Sequence, residues 1–367
     1  MSRRDGILPL TAALVAGLLC FASPRALVAY SVPDTQNPSE IRWSIDRSGS
    51  SSDASKVQFR IESHWGSGNH SSWSNDRPMS DFQGISAAQV RGPTGPVRFA
   101  IVRDAGRLDC SGTAGNLTGR GACNFTVDPA FAAYLQRHGI GAPTPHEAFS
   151  LTMSGVGRDL IDAMESIGYA RPTAGQLASM AIHGVSADFV RGLARSGYQL
   201  RSADDLVDFK IHGVDINYIR ELSAISSKLR HLSAADLVSM RIHGVTSDYV
   251  REIAAMGPQF ANLTSDDLVS FSIHGARPEL VRAYANFTQG RLDADDVVSM
   301  AIHGVSADFL QTMAELGYRD LSASELVSLQ IHGVTGDYVR RLHENGMNRL
   351  SADQLVRLRL AGFEPRG

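Results

Sequence analysis

Residues 232–251 read Leu-Ser-Ala-Ala-Asp-Leu-Val-Ser-Met-Arg-Ile-His-Gly-Val-Thr-Ser-Asp-Tyr-Val-Arg, and close copies of this stretch recur through the C-terminal half of the chain. His-Gly pairs begin at His183, His212, His243, His274, His303 and His332, in steps of 29, 31, 31, 29 and 29 residues. Two degenerate copies flank them, Ser154-Gly155-Val156 upstream and Ala361-Gly362-Phe363 downstream, each 29 residues from its neighbour. A fixed period of this size marks an array of supersecondary units that cannot bury their apolar faces alone.

Each unit is written in capping chemistry. Ser233 with Asp236 three residues on forms a capping box, and Leu232 and Leu237 are placed for a hydrophobic staple. Ser322/Glu325 and Ser351/Gln354 repeat the box with leucines in the staple positions; Asp293/Asp296 and Thr264/Asp267 are chemical variants of it. The first helix runs through Leu237, Val238, Met240 and Ile242 and stops at Gly244, which can take the left-handed conformation. Thr246 opens a second helix that carries Tyr249, Val250 and Ile253 and stops at Gly257. Helices of about ten residues are marginal by themselves. The expected architecture is therefore a stack of seven or eight helical hairpins held by nearest-neighbour packing. Pro258 and Pro278, in or beside the 31-residue intervals, predict a bend or offset there.

Six equivalent histidines invite a metal reading, but stacked helical layers lie about 8–10 Å apart, whereas zinc takes its nitrogens at about 2.0–2.1 Å. The expected role is a cap in each helix's last turn. The recurring Arg191, Arg220, Arg251, Arg282 and Arg340, with Asp188, Asp248 and Asp337 three residues before three of them, read as helix-surface pairs. The same histidines and arginines are the candidate lining of a peptide-binding repeat face.

The pattern Leu-x-x-x-x-Leu-Val-x-x-x-Ile-His-Gly-Val-Thr-x-x-Tyr-Val-Arg, as in residues 321–340, resembles the repeats C-terminal to the membrane-embedded zinc peptidase domain in bacterial relatives of the β-lactam-sensing receptor. It is also similar to repeats in uncharacterised secreted bacterial proteins. The resemblance covers residues 151–363 and implies a repeat, not an activity. The peptidase half needs a His-Glu-x-x-His motif. Here His146-Glu147 is followed by Ala148-Phe149-Ser150, and His343-Glu344 by Asn345-Gly346-Met347.

At the start of the chain, Arg3 and Arg4 precede an apolar run over residues 7–22, with small residues near Ala22 and Ala29. Residues 1–29 thus read as a cleaved signal peptide. The apolar run is shorter than the about 20 residues of a membrane span. The expected location is periplasmic or secreted, with no membrane span after cleavage. Cleavage removes Arg3, Arg4, Arg25 and Asp5 and moves the formal charge from −3 to −5. No basic stripe interleaved with aromatics recruits nucleic acid.

Between about residues 32 and 153 the apolar period changes from 3.6 to 2, predicting an antiparallel β domain and an α+β chain overall. Ile41/Trp43/Ile45, Val57/Phe59/Ile61/Trp65, Val97/Phe99/Ile101, Leu108/Cys110, Cys123/Phe125/Val127 and Phe149/Leu151/Met153 are the expected strands. Gly/Ser-rich residues 48–55 and 66–74 read as loops, the second carrying a cluster of His70, Trp73 and, beside it, His64, Trp65 and Asp76. One short helix is expected, with Asp128 as N-cap, Pro129 first and Gly139 as stop, placing Phe131, Tyr134 and Leu135 against the sheet. Cys110 and Cys123 are symmetric about Asn116-Leu117, so a hairpin turning there sets them opposite each other; in an exported chain this predicts a disulfide.

Motif searches give no Gly-x-Ser-x-Gly elbow, no Gly-x-x-x-x-Gly-Lys loop and no Cys-x-x-Cys. The glycines of residues 112–121 fall in the expected hairpin and read as a turn. The expected function is a non-catalytic, cofactor-free exported scaffold that binds a protein or peptide in the cell envelope. The alternative, implied by the resemblance, is an accessory sensor that takes a cell-wall or antibiotic-type small ligand through the β domain.

Overall fold

The computed structural model describes residues 38, 40–46, 55–66, 69–200 and 202–365. The expected signal peptide and most of the 48–55 loop lie outside these residues.

Six antiparallel strands form one sheet: β1 (Glu40–Asp46), β2 (Lys56–Trp65), β3 (Asn69–Pro78), β4 (Gly95–Arg103), β5 (Gly106–Gly115) and β6 (Thr118–Val127). Their order is β3-β2-β1-β6-β5-β4, two three-stranded meanders joined where β1 pairs with β6. Alternation puts Ile41, Trp43, Phe59, Ile61, Phe99, Ile101 and Leu108 on one buried face. Phe82, Ile85 and Val90, from the 79–91 segment that includes helix α1 (Ala87–Arg91), help to close that face. The β5–β6 turn has φ of 53° at Asn116 and 62° at Leu117, the two left-handed residues of a type I′ hairpin. That register sets Cys110 directly against Cys123, with Cα atoms 4.0 Å apart, and the two form a disulfide.

Two local readings are corrected. Residues 69–74 are not loop but the start of β3, because polar side chains on its outer positions tolerate water while β2 satisfies its backbone. The strand glycines Gly119 and Gly121 are not explained by the turn. A Cβ on Gly121 would stand 2.6 Å from Nε1 of Trp43, and one on Gly119 would stand 2.9 Å from the same indole. They make room for the buried indole of Trp43.

Two helices lead into the array, α2 (Pro129–Arg137) and α3 (Pro145–Ser154), and α3 forms a hairpin with α4 (Arg158–Ile167). Six turns of the same design follow. Their helices are α5 (Ala174–Ile182), α6 (Ala187–Arg195), α7 (Ala203–Ile211), α8 (Ile216–Ile225), α9 (Ala234–Ile242) and α10 (Ser247–Ala254). Then come α11 (Ser265–Ile273), α12 (Pro278–Phe287), α13 (Ala294–Ile302), α14 (Ala307–Glu315), α15 (Ala323–Ile331) and α16 (Gly336–Glu344), and last the single helix α17 (Ala352–Leu360). First helices stack on first helices, from α3 through α5 to α17, and second helices on second helices, from α4 to α16. One continuous core runs through the stack. The expected capping boxes are present at Ser233, Thr264, Asp293, Ser322 and Ser351, and each His-Gly glycine is left-handed with φ near 70°. Pro278 is the first residue of α12, an ordinary helix start. The extra residues of the 31-residue intervals lie in longer connections, where buried Leu229 and Phe260 fill the space between hairpins.

Tyrosines bolt successive repeats together. The hydroxyls of Tyr218, Tyr249 and Tyr338 donate to the carbonyls of Val245, Ala276 and Phe363, at 2.7, 2.9 and 3.0 Å. In α12 the equivalent position is Leu280, and Tyr284, one helical turn on, supplies the bond to Val305 at 2.7 Å. Burial raises the phenols of Tyr218, Tyr249 and Tyr284 well above their ordinary value. The folded chain keeps them protonated at a pH where the unfolded chain ionises them, about 10. Stability is therefore full below that pH and falls as pH rises above it. The urea midpoint should hold up to about pH 10 and drop steadily above it; a midpoint unchanged up to about pH 11 would contradict the buried phenols.

The β domain and the array share helix α3. Phe149 and Met153 are buried in the sheet's core, where Phe149 meets Trp65 and Phe125 edge-on, while Leu151 is buried in the array's core. The period-2 reading of Phe149/Leu151/Met153 as a strand is thus corrected: α3 is buried on both faces, from Ala148 to Met153 without a break and with Ser150 and Thr152 included, so no boundary between core and water writes a 3.6 signal. Helix α2 also differs from expectation. Asp128 caps it and Gly139 follows it, but Phe131 and Leu135 enter the array's core, and Tyr134 and His138 bond Asp162 and Glu165 of α4. It covers the first repeat, as terminal caps of solenoids do.

Asp104, in the β4–β5 turn, completes the junction by accepting the Arg158 backbone N–H at 2.8 Å, where Gly157 offers no capping side chain. Asp104→Ala should cost about 1 kcal/mol, the usual worth of an N-cap. Chemical denaturation checks this, and a change below a few tenths would show that the junction holds without it.

Candidate functional site

Six of the eight first helices end in Ile-His-Gly, and these residues occupy one edge of the stack. The glycine takes the left-handed C′ position, which explains it. The histidine is the C-cap, with φ near −90° in all six repeats. In two of them the ring is fixed: Nδ1 of His303 donates to the Ser299 carbonyl at 2.8 Å, and Nδ1 of His332 to the Ser328 carbonyl at 2.7 Å. His183, His243, His274 and His303 are exposed, and His212 and His332 half-buried.

The isoleucine before it is the unexpected residue. Ile182, Ile211, Ile242, Ile273, Ile302 and Ile331 are 51–57% exposed, and Leu360 in α17 is 67% exposed. Among the described residues these seven make up nearly all the large exposed hydrophobics; the others are Leu117 and Phe363. Their orientation follows from helix geometry. Leu237 and Met240 face the core, and at about 100° per residue Ile242 lies about 200° beyond Met240, on the opposite side. The apolar pattern that places Ile242 in the helix does not bury it.

Repetition within the chain makes this ladder more than a scatter of surface residues. The fully buried core position two residues earlier varies, Met180, Phe209, Met240, Phe271, Met300 and Leu329, as a core tolerates when volume is kept. The exposed position does not vary in the six His-Gly repeats. In the degenerate first repeat the equivalent residue is Met153, and it is buried under the β sheet. One rung of the ladder is therefore already covered, by an apolar surface of the same chain.

The predicted arginines lie apart from this edge, on the second helices. Arg251 pairs with Asp248 and Arg340 with Asp337, as expected. Arg191 approaches Asp188 at 3.8 Å but bonds Asp159 of the preceding repeat more closely, and that carboxylate raises its guanidinium above the ordinary value. Arg220 bonds Asn217 at 3.4 Å, and Arg282 is exposed. These are surface pairs of small energetic worth. Among the described residues no group of three or more His, Cys, Asp or Glu is placed to hold a metal ion.

In the β domain the polar and aromatic cluster divides. Trp65 is buried and donates to Ser63 at 2.9 Å, while His64 and His70 face each other across the β2–β3 pair. The outer sheet face carries a shallow hollow of about 500 Å³ bounded by Arg42, Ser44, Arg60, Glu62 and Arg120. Arg42 is paired with Glu40 at 2.7 Å, and Arg60 with Glu62 at 3.9 Å.

Compared with known proteins, the chain matches no family model and no curated protein. No described helix is long and apolar enough to cross a membrane.

Proposed function

We propose that the chain is an exported, non-catalytic scaffold of the cell envelope, whose helical array binds a protein or peptide along the isoleucine-histidine edge. The carrying observation is the ladder itself: an exposed aliphatic residue repeated without variation in six units, beside core positions that do vary. A regular row of exposed apolar side chains on a folded chain is a candidate interaction site. Export is supported by the Cys110–Cys123 disulfide, which persists in an oxidising compartment, and by the basic, then apolar N-terminus. The resemblance to repeats that follow a sensor's peptidase domain agrees with an accessory, non-catalytic part.

A photo-reactive residue in place of Ile242 or Ile302 in the full chain should capture a defined polypeptide in the native envelope, whereas one in place of exposed Asp353 should not. Equal labelling from all three positions would sink the reading. The second reading, a small-ligand sensor, is favoured by the hollow on the outer sheet face. Under that reading a cell-wall fragment should raise the melting temperature of the full chain, and Arg120→Ala should abolish the rise.

A further inference from the structure

We propose that the occupant of the ladder is a polypeptide segment in the polyproline-II conformation, with an apolar side chain at every third residue and free backbone N–H groups between. This rests on the scaffold reading and narrows it to one class of partner. Three observations lead to it.

The first is area. If full burial of an aliphatic side chain removes about 100 Å² from water, seven half-exposed rungs offer roughly 350 Å² of apolar surface. A standard contact between two folded surfaces, a second copy of this chain included, buries about 800 Å² on each side, polar surface included, so such a partner has to reach well beyond the rungs. The ladder is one side chain wide and, at about 9 Å for each helical layer, about 55 Å long. A thin, extended occupant fits that shape, and a globular one covers it poorly.

The second is pitch. Side chains on one face of a β-strand recur at about 6.6 or 13 Å, neither of which meets the layer spacing of about 8–10 Å. A polyproline-II helix has three residues per turn and a rise of about 3.1 Å, so every third side chain returns to the same face after about 9.3 Å. The period of such a segment falls within the range of layer spacings, so successive apolar residues can meet successive isoleucines.

The third is hydrogen-bond polarity. Because Nδ1 of His303 and of His332 donates to a carbonyl, the neutral ring is left with Nε2 as an acceptor. A polyproline-II backbone makes no internal hydrogen bonds, so N–H groups of its non-proline residues are available to those acceptors. The ladder also continues an existing contact, since the β domain already covers its first rung at Met153 with apolar surface.

The probe is a fluorescein-labelled 18-residue peptide, six repeats of Leu-Pro-Gln, about 56 Å long in this conformation; binding to the full chain is read by anisotropy. A control of the same length and composition has its leucines in three adjacent pairs, which removes the period of three. The period-three peptide should bind at least tenfold more tightly than the control. The Ile242→Ser/Ile273→Ser/Ile302→Ser variant should lose at least tenfold in affinity while remaining folded with a cooperative urea transition, because those side chains are more than half exposed. Absence of detectable binding, equal affinity for the two peptides, or an unchanged affinity in the variant would overturn the proposal. So would ladder-dependent dimerisation in sedimentation, which would make a second copy the occupant. Capture of a folded protein from Ile242, with no preference between the peptides, would retain the scaffold reading and reject this one.

Discussion

Phe271→Ala should destabilise the chain by about 3–5 kcal/mol, the range for removing a large aromatic from a packed interior. Phe271 is fully buried in α11, between α9 and α13 in the layer of first helices. The consequence in a solenoid differs from that in a globule. Each hairpin meets only its neighbours, so a lesion in the middle weakens two interfaces and lets the array come apart into separately melting halves. Urea unfolding followed by far-UV circular dichroism should broaden or split into two transitions. Leu355→Ala, equally buried but in the last helix, should fray α17 and leave the main transition in place. A single sharp transition shifted equally by both substitutions would contradict nearest-neighbour stacking.

The second large effect is expected at the disulfide. Cys110 and Cys123 are thirteen residues apart in sequence, and closing a loop of that size contributes about 3 kcal/mol through the entropy of the unfolded chain. Cys110→Ala/Cys123→Ala should lose about that amount, and melting the native chain with a reductant should lose a similar amount. The two sulfurs are bonded to each other, so thiol reagents should label neither residue until a reductant is added. A loss below about 1 kcal/mol in both experiments would show that the type I′ hairpin holds the two strands together without the bridge. Because α3 contributes to both cores, the loss should also reach the first repeats, as faster amide exchange in α4 and α5.

Much of the array was legible because its signals are local. A capping box spans four residues, a left-handed glycine one, and a hairpin unit about thirty; tandem copies then confirm each other. The β5–β6 hairpin was legible for the same reason, since a two-residue turn fixes which residues face each other. The sheet partners of β1 were not, because pairing with β6 spans about eighty residues and leaves no local mark. Phe149, Leu151 and Met153 misled for a physical reason: periodicity reports a boundary between core and water, and α3 has core on both sides. The histidines stand as the helix caps expected of them, and the sequence reading missed the isoleucine beside them. The arginines form ordinary surface pairs, and the isoleucine one residue before each histidine carries the unexplained exposure.

The amino-acid sequence by itself determined the repeat, its helix starts and stops, the alternation of the β domain and the opposition of Cys110 and Cys123, all of which follow from backbone preferences and spacing within a few turns. Tertiary structure alone decided that the β domain and the array share α3, that α2 caps the first repeat, and that one isoleucine per repeat remains in water. Those outcomes depend on which surfaces meet, and an aliphatic side chain carries the same letter whether a neighbour covers it or not.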